Sequence, residues 1–176
     1  MFDIYAIVDH AQPLVIVLGL LLSWKVPTAR WFFLSYLAVI VVNIAVFSIT
    51  IEWRVHYYLF QAFVNIVFIL PIVYRRDLAL FLYRKTDVSF FLQVYEKQRL
   101  SSQECMILLV FALAVIVNLV TWLEVLAYKY DWIDNAYIKL YVRDNVVLFI
   151  QLLLLGCLLS YAKKAEAREL NYEKTR

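Results

Sequence analysis

Glycine, proline, cysteine and histidine are all scarce in this 176-residue chain, at two, three, two and two residues. Two isolated glycines, Gly19 and Gly156, cannot build a phosphate-cradling loop, a dinucleotide fingerprint or a close-packed GxxxG helix face. Broken-helix transporters need glycine or proline interruptions in paired repeats, and here only Pro13 and Pro71 interrupt apolar segments. The sequence holds no HExxH, no Cys-x-x-Cys-His and no G-x-S-x-G, so neither a zinc protease, a covalent haem site nor a nucleophile elbow is written in it. Cys105 and Cys157 are expected at or near a reducing face, which argues against a disulfide-exchange enzyme. Charge is low as well, at 18% of residues.

What fills the chain is apolar: 65% of residues are hydrophobic and 17% aromatic, with a mean hydropathy of +0.75. A soluble globule of this size has too little interior to hide that excess, so the reading is a lipid-embedded, all-α protein. Five segments are long enough to cross a bilayer: 5–24, 31–50, 57–74, 105–127 and 145–161. The first is the weakest, because Asp9, His10, Gln12 and Pro13 leave only residues 14–24 uninterrupted. Asp9 with Gln12 reads as a helix cap, so that helix is expected to begin near Asp9, and a four-span bundle is the alternative. With no Lys or Arg before Lys25, the segment is not expected to be a signal peptide.

Basic residues set the orientation. With the N-terminus outside, thirteen of the seventeen Lys and Arg fall on the inner side and only Arg54, Lys129, Lys139 and Arg143 on the outer. The fourteen acidic residues divide evenly, which leaves the inner face at +6 and the outer at −3. The expected location is a bacterial inner membrane, N-terminus out and C-terminus in. The expected partners are the anionic inner leaflet and a protein partner or second copy, with no nucleic acid. Residues 75–103 carry Leu78, Phe81, Leu82, Val88, Phe91 and Leu92 at helical spacing, predicting an amphipathic segment on the inner surface between spans three and four. Arg75, Arg76, Arg84, Lys85, Lys97 and Arg99 are its candidate lipid-facing or partner-facing charges. A break is expected at Thr86 and Asp87, either of which can cap the second half of the segment, and Ser101 with Glu104 predicts a capping box before span four. Asp134 or Asn135 is the expected cap of the last helix, which continues into an inner tail, 162–176.

Polar groups within the spans are few. Asn43, Asn65, Asn118 and Gln151 fall one per helix near the middle of the last four spans, with Gln61 one turn from Asn65, and Tyr36, Asn43 and Thr50 form a heptad-spaced stripe. Such a belt reads first as interhelical hydrogen-bond glue and second as the lining of a ligand or ion path. Near the outer rim, Asp9, His10, His56 and Glu124 are weak candidates for a metal site, a proton-sensitive site or a bis-histidine haem, the plainer reading being interfacial polar residues. Arg143 and Asp144, as neighbours on a helix, are expected to pair elsewhere. No cofactor is expected. Three functions remain, in order of expectation: a non-enzymatic membrane subunit or interaction protein; a small pore, transporter component or membrane-perturbing effector; and a redox or metal protein using the outer His and acid cluster.

Overall fold

The computed structural model describes the backbone of residues 4–97 and 100–174 and, within these, all side chains except 4–6, 9, 10 and 171–174. Among the described residues every regular element is helical. In chain order they are α1 (Ile4–Leu22), α2 (Pro27–Thr50) with a 3-10 turn (Ile51–Trp53), α3 (Tyr57–Val73), α4 (Arg75–Thr86), α5 (Ser89–Glu96), α6 (Ser102–Lys129), a π-helical turn (Ile138–Val142) running into α7 (Arg143–Lys163), and α8 (Ala165–Lys174). Short connections make successive long helices antiparallel. One end of the bundle therefore gathers Leu22, Pro27, Val73, Ser102 and Lys163; we call it the basal end. The opposite, mouth end gathers Trp53, Tyr57, Lys129 and Arg143.

Length and composition let three helices cross a membrane: α2 with its 3-10 turn (27 residues), α6 (28) and α7 with its π turn (26). A fourth is reached if α3 and α4, bent by 74° at their junction, count as one span. The expected five is not met by these measures, because the apolar run of α1 is only Ala11–Leu22. Even so, α1 is part of the bundle. It packs on α2 and on α7, while α2 packs on α3, α3 on α6 and α6 on α7, closing a ring of five helices. The ring's outer surface is apolar, with Leu109 and Leu14 among the most exposed side chains at 69% and 66%. In water so large an apolar surface would drive aggregation; against lipid it needs no cover.

The basal half of the ring is filled by aromatic side chains. Phe32, Phe33, Phe68 and Tyr161 are fully buried, and the Phe32 ring lies 5.5 Å from Phe68 and 4.7 Å from Tyr161. Above them Tyr36, Phe68 and Phe111 interlock at centroid separations of 4.3 to 5.3 Å. Gly19 is what lets α1 approach: a Cβ there would sit 2.5 Å from Phe33 Cζ. Gly156 faces open space, with nothing within 4 Å of the same position. Gly19→Ala is therefore expected to destabilise the bundle by about 1–3 kcal/mol through overpacking. Gly156→Ala should be neutral or stabilising by up to about 1 kcal/mol, since alanine is the better helix former. Chemical denaturation of the two variants in one detergent distinguishes these outcomes.

Helix ends depart from expectation in four places. Helix α1 begins at Ile4 rather than near Asp9, and Pro13 lies inside it. Asp87 takes a left-handed conformation (φ 52°) that ends α4, and Thr86 Oγ1 donates back to the Leu82 carbonyl at 2.8 Å, so neither residue caps α5, whose N-cap is Val88. Asp134 and Asn135 do not cap the last helix. Glu124 does so from α6: its Oε1 and Oε2 accept from the Ile138 and Lys139 backbone N–H groups at 2.7 and 2.8 Å. Finally, the last helix breaks at Lys164 before the tail helix α8. The Ser101 and Glu104 capping box is formed as expected, with both reciprocal bonds present.

The α3–α4 bend has a local cause. Pro71 has no N–H to donate to Val67, and its own carbonyl accepts from Trp31 Nε1 at 3.0 Å, so the last turn of α3 is held partly by α2. The chain turns at Tyr74 and delivers Arg75, the first residue of α4, into the bundle.

Candidate binding chamber

Above the Tyr36, Phe68 and Phe111 rings the helix ring is not filled. A cavity of about 580 Å³ lies there, within the range of ligand pockets, and it is lined from all five helices of the ring. Asn43, Gln61, Asn65, Asn118 and Gln151 all face it, joined by Gln12 and by Tyr57, Arg143 and Asp144 toward the mouth. Between the amides the walls are Val, Ile, Ala and Leu. Gln12 Nε2 donates to the Tyr36 hydroxyl, tying α1 to α2 at the level of the floor.

All of these amides line the cavity. Asn118 Nδ2 donates to the Ala114 carbonyl of its own helix at 2.9 Å, which leaves Oδ1 without a partner although it is buried. Asn43 Oδ1 is in the same state. A buried carbonyl oxygen with no donor is uncommon in folded proteins, and leaving one unmet costs roughly 1–3 kcal/mol. Both residues line the cavity, while these two oxygens themselves present no accessible surface to it. The spacing Tyr36, Asn43, Thr50 is only partly realised: Tyr36 and Asn43 line the chamber, while Thr50 is buried and bonds the Phe47 carbonyl at 3.2 Å.

At the mouth, Arg143 Nη1 donates to Asp144 Oδ1 at 3.0 Å, so these neighbours pair with each other, contrary to expectation. Both lie in the first turn of α7, directly after the π-helical turn. The guanidinium also lies 4.8 Å from the Tyr58 ring centroid, and its Nε is buried and unpartnered. Local charge at the mouth is thus balanced, and one donor remains to be used.

Of the rim residues expected for a metal, the two whose side chains are described, His56 and Glu124, are engaged separately. Glu124 is occupied in capping the last helix, and His56 Nδ1 accepts from Trp122 Nε1 at 3.4 Å. The side chains of Asp9 and His10 lie outside the described residues. Among the described residues no group of three His, Cys, Asp or Glu is arranged for a metal.

At the basal end the structure joins charges that sequence reading kept apart. Arg75, expected on the surface, is 2% exposed and pairs through Nη2 with Oε1 of the equally buried Glu104. The same oxygen accepts from the Tyr161 hydroxyl at 2.7 Å. Arg168 of α8 lies 3.8 Å from the Tyr161 ring centroid and bonds Gln103. Lys97 is drawn into a pair with Glu169 and is only partly exposed. Arg76, Arg84 and Lys85 do sit on the surface, Arg76 over Tyr95 and Lys85 over Phe81; Arg99 lies outside the described residues. In the sequence Glu104 signals only a capping box and Arg75 only a basic loop, so nothing there foretells their pairing.

No family model, characterised protein or solved structure matches this chain.

Proposed function

We propose that this chain is a non-enzymatic integral membrane subunit that binds a small molecule in the amide-lined chamber, which opens to the outer side of an inner membrane. The observation carrying this reading is that six carboxamides, drawn from all five helices of the ring, line one cavity of about 580 Å³. Asymmetry of Lys and Arg supports the orientation, with the mouth outside and the basal end, bearing Arg84, Lys85, Lys163 and Lys164, against the anionic inner leaflet. Helix α5 docks on α2, where Phe90 and Phe91 meet Arg30 and Trp31, and α4 leaves Phe81 exposed beside Arg84 and Lys85, a mixed apolar and basic surface suited to lipid or a partner.

A pore is the second reading, and the packing below the chamber argues against it. Three interlocked rings form the floor, and the Phe32, Phe33 and Tyr161 side chains fill the space beneath them. An open conduction path would need that aromatic layer to part.

The test is directional accessibility. In a background with Cys105→Ser and Cys157→Ser, Gln151→Cys should react with a membrane-impermeant maleimide added outside and not with one added inside. Liposomes carrying the same protein should show no added ion flux. A residue unreactive from outside, or steady conductance across the bilayer, overturns the reading.

A further inference from the structure

The polarity of the chamber says what kind of molecule it takes, and this inference rests on the chamber being a binding site. We propose that it recognises a neutral, hydroxyl-rich group, a glycosyl unit, presented as a free sugar or as the headgroup of a glycolipid.

Three observations converge on that chemistry. First, the chamber carries no net formal charge: its one guanidinium is paired with its one carboxylate, and its other polar groups are amides and phenols. A cation or anion entering it would give up hydration without gaining an opposite charge. Second, the lining offers hydrogen-bonding groups of both kinds from all five walls: six carboxamides, each with a carbonyl acceptor and an amino donor, and the Tyr36 and Tyr57 hydroxyls. A hydroxyl serves as either, and a sugar ring projects hydroxyls around its whole edge, whereas a planar amide offers them along one plane. Third, the amides alternate with Val, Ile and aromatic faces, among them Val110 and Tyr57. Sugar rings have the matching division, with polar edges and C–H faces. Reaching from Arg143 to the level of Gln151 takes eight residues of helix, about 12 Å, enough for more than one ring.

Protection of the outward-labelled Gln151→Cys protein tests this, in detergent and in nanodiscs. Glucose and lactose should slow maleimide modification, while glucuronate and glucosamine, which keep the glucose ring but carry a negative and a positive charge, should not. Nanodiscs containing glucosyl diacylglycerol should give stronger protection than lactose if the sugar arrives on a lipid, and equal or weaker protection if it arrives free. Asn118→Leu should weaken sugar protection about tenfold, the effect of one hydrogen bond. Asn43→Leu, at a half-buried position, should do the same if Asn118→Leu fails to fold. Protection by glucuronate or glucosamine and not by the neutral sugars overturns the neutral-glycosyl assignment while leaving the chamber as a binding site. Labelling from outside that no millimolar sugar and no glycolipid slows also overturns it. A position that cannot be labelled at all overturns the binding reading itself.

Discussion

Arg75→Leu is expected to lower the stability of the folded chain by about 3–5 kcal/mol, the largest effect of any single charge change in this protein. The reason lies in what remains behind. Glu104 is 2% exposed, and without Arg75 its carboxylate would keep only the Tyr161 hydroxyl and the Ser101 backbone N–H in a site closed to water. Glu104→Leu should cost a similar amount, because it strands the Arg75 guanidinium, whose Nε and Nη1 already lack partners. The double variant should recover part of the loss, since it leaves no charge unpaired, while the Tyr161 and Ser101 bonds to Glu104 stay lost. Tyr161→Phe, which deletes one hydrogen bond to a charged group, should cost about 1.5–3 kcal/mol. Equilibrium denaturation in detergent measures all four, and a double variant no better than the singles would refute the explanation.

The second large effect is expected at the chamber floor. Phe68 is 1% exposed and touches Phe32, Tyr36 and Phe111, so Phe68→Ala should destabilise by about 3–5 kcal/mol and extend the chamber toward the basal end. Phe63, five residues earlier on the same helix, is 59% exposed on the outer face of the ring. Its replacement by alanine exchanges one lipid-facing apolar group for a smaller one and should change stability by less than about 0.5 kcal/mol. Equal losses at the two positions, measured by denaturation in the same detergent, would mean that Phe68 does not face the ring's axis.

These two phenylalanines show how far sequence reading reaches in an apolar helix. In a soluble helix, polar residues mark the outer face and the inner face is set by periodicity. Lipid removes that contrast, because both faces are apolar. Helix α3 is therefore legible as a helix of the right length, while the side it turns inward is marked only by Gln61 and Asn65. Those amides were informative because a carboxamide avoids hydrocarbon, and both do line the chamber. Gln12 and Tyr36 line it too, although Gln12 reads in the sequence only as part of a helix cap.

Composition and spacing alone determined that the chain is helical and apolar, with long helices of spanning length, a strongly one-sided distribution of Lys and Arg, and amides at one depth. Each of these is a local property, set by hydration and by the length of backbone that satisfies its own hydrogen bonds. That the amides gather around one cavity was decided by the tertiary structure. Five helices in a ring leave an axial space that small and medium side chains cannot bridge. Aromatic rings fill its basal half, and the shorter amides, aliphatics and Asn118 at the mouth half leave it open. The same closure buries Arg75 against Glu104. A charge pair 29 positions apart is a property of how the α3–α4 bend turns toward α6, which no local pattern encodes.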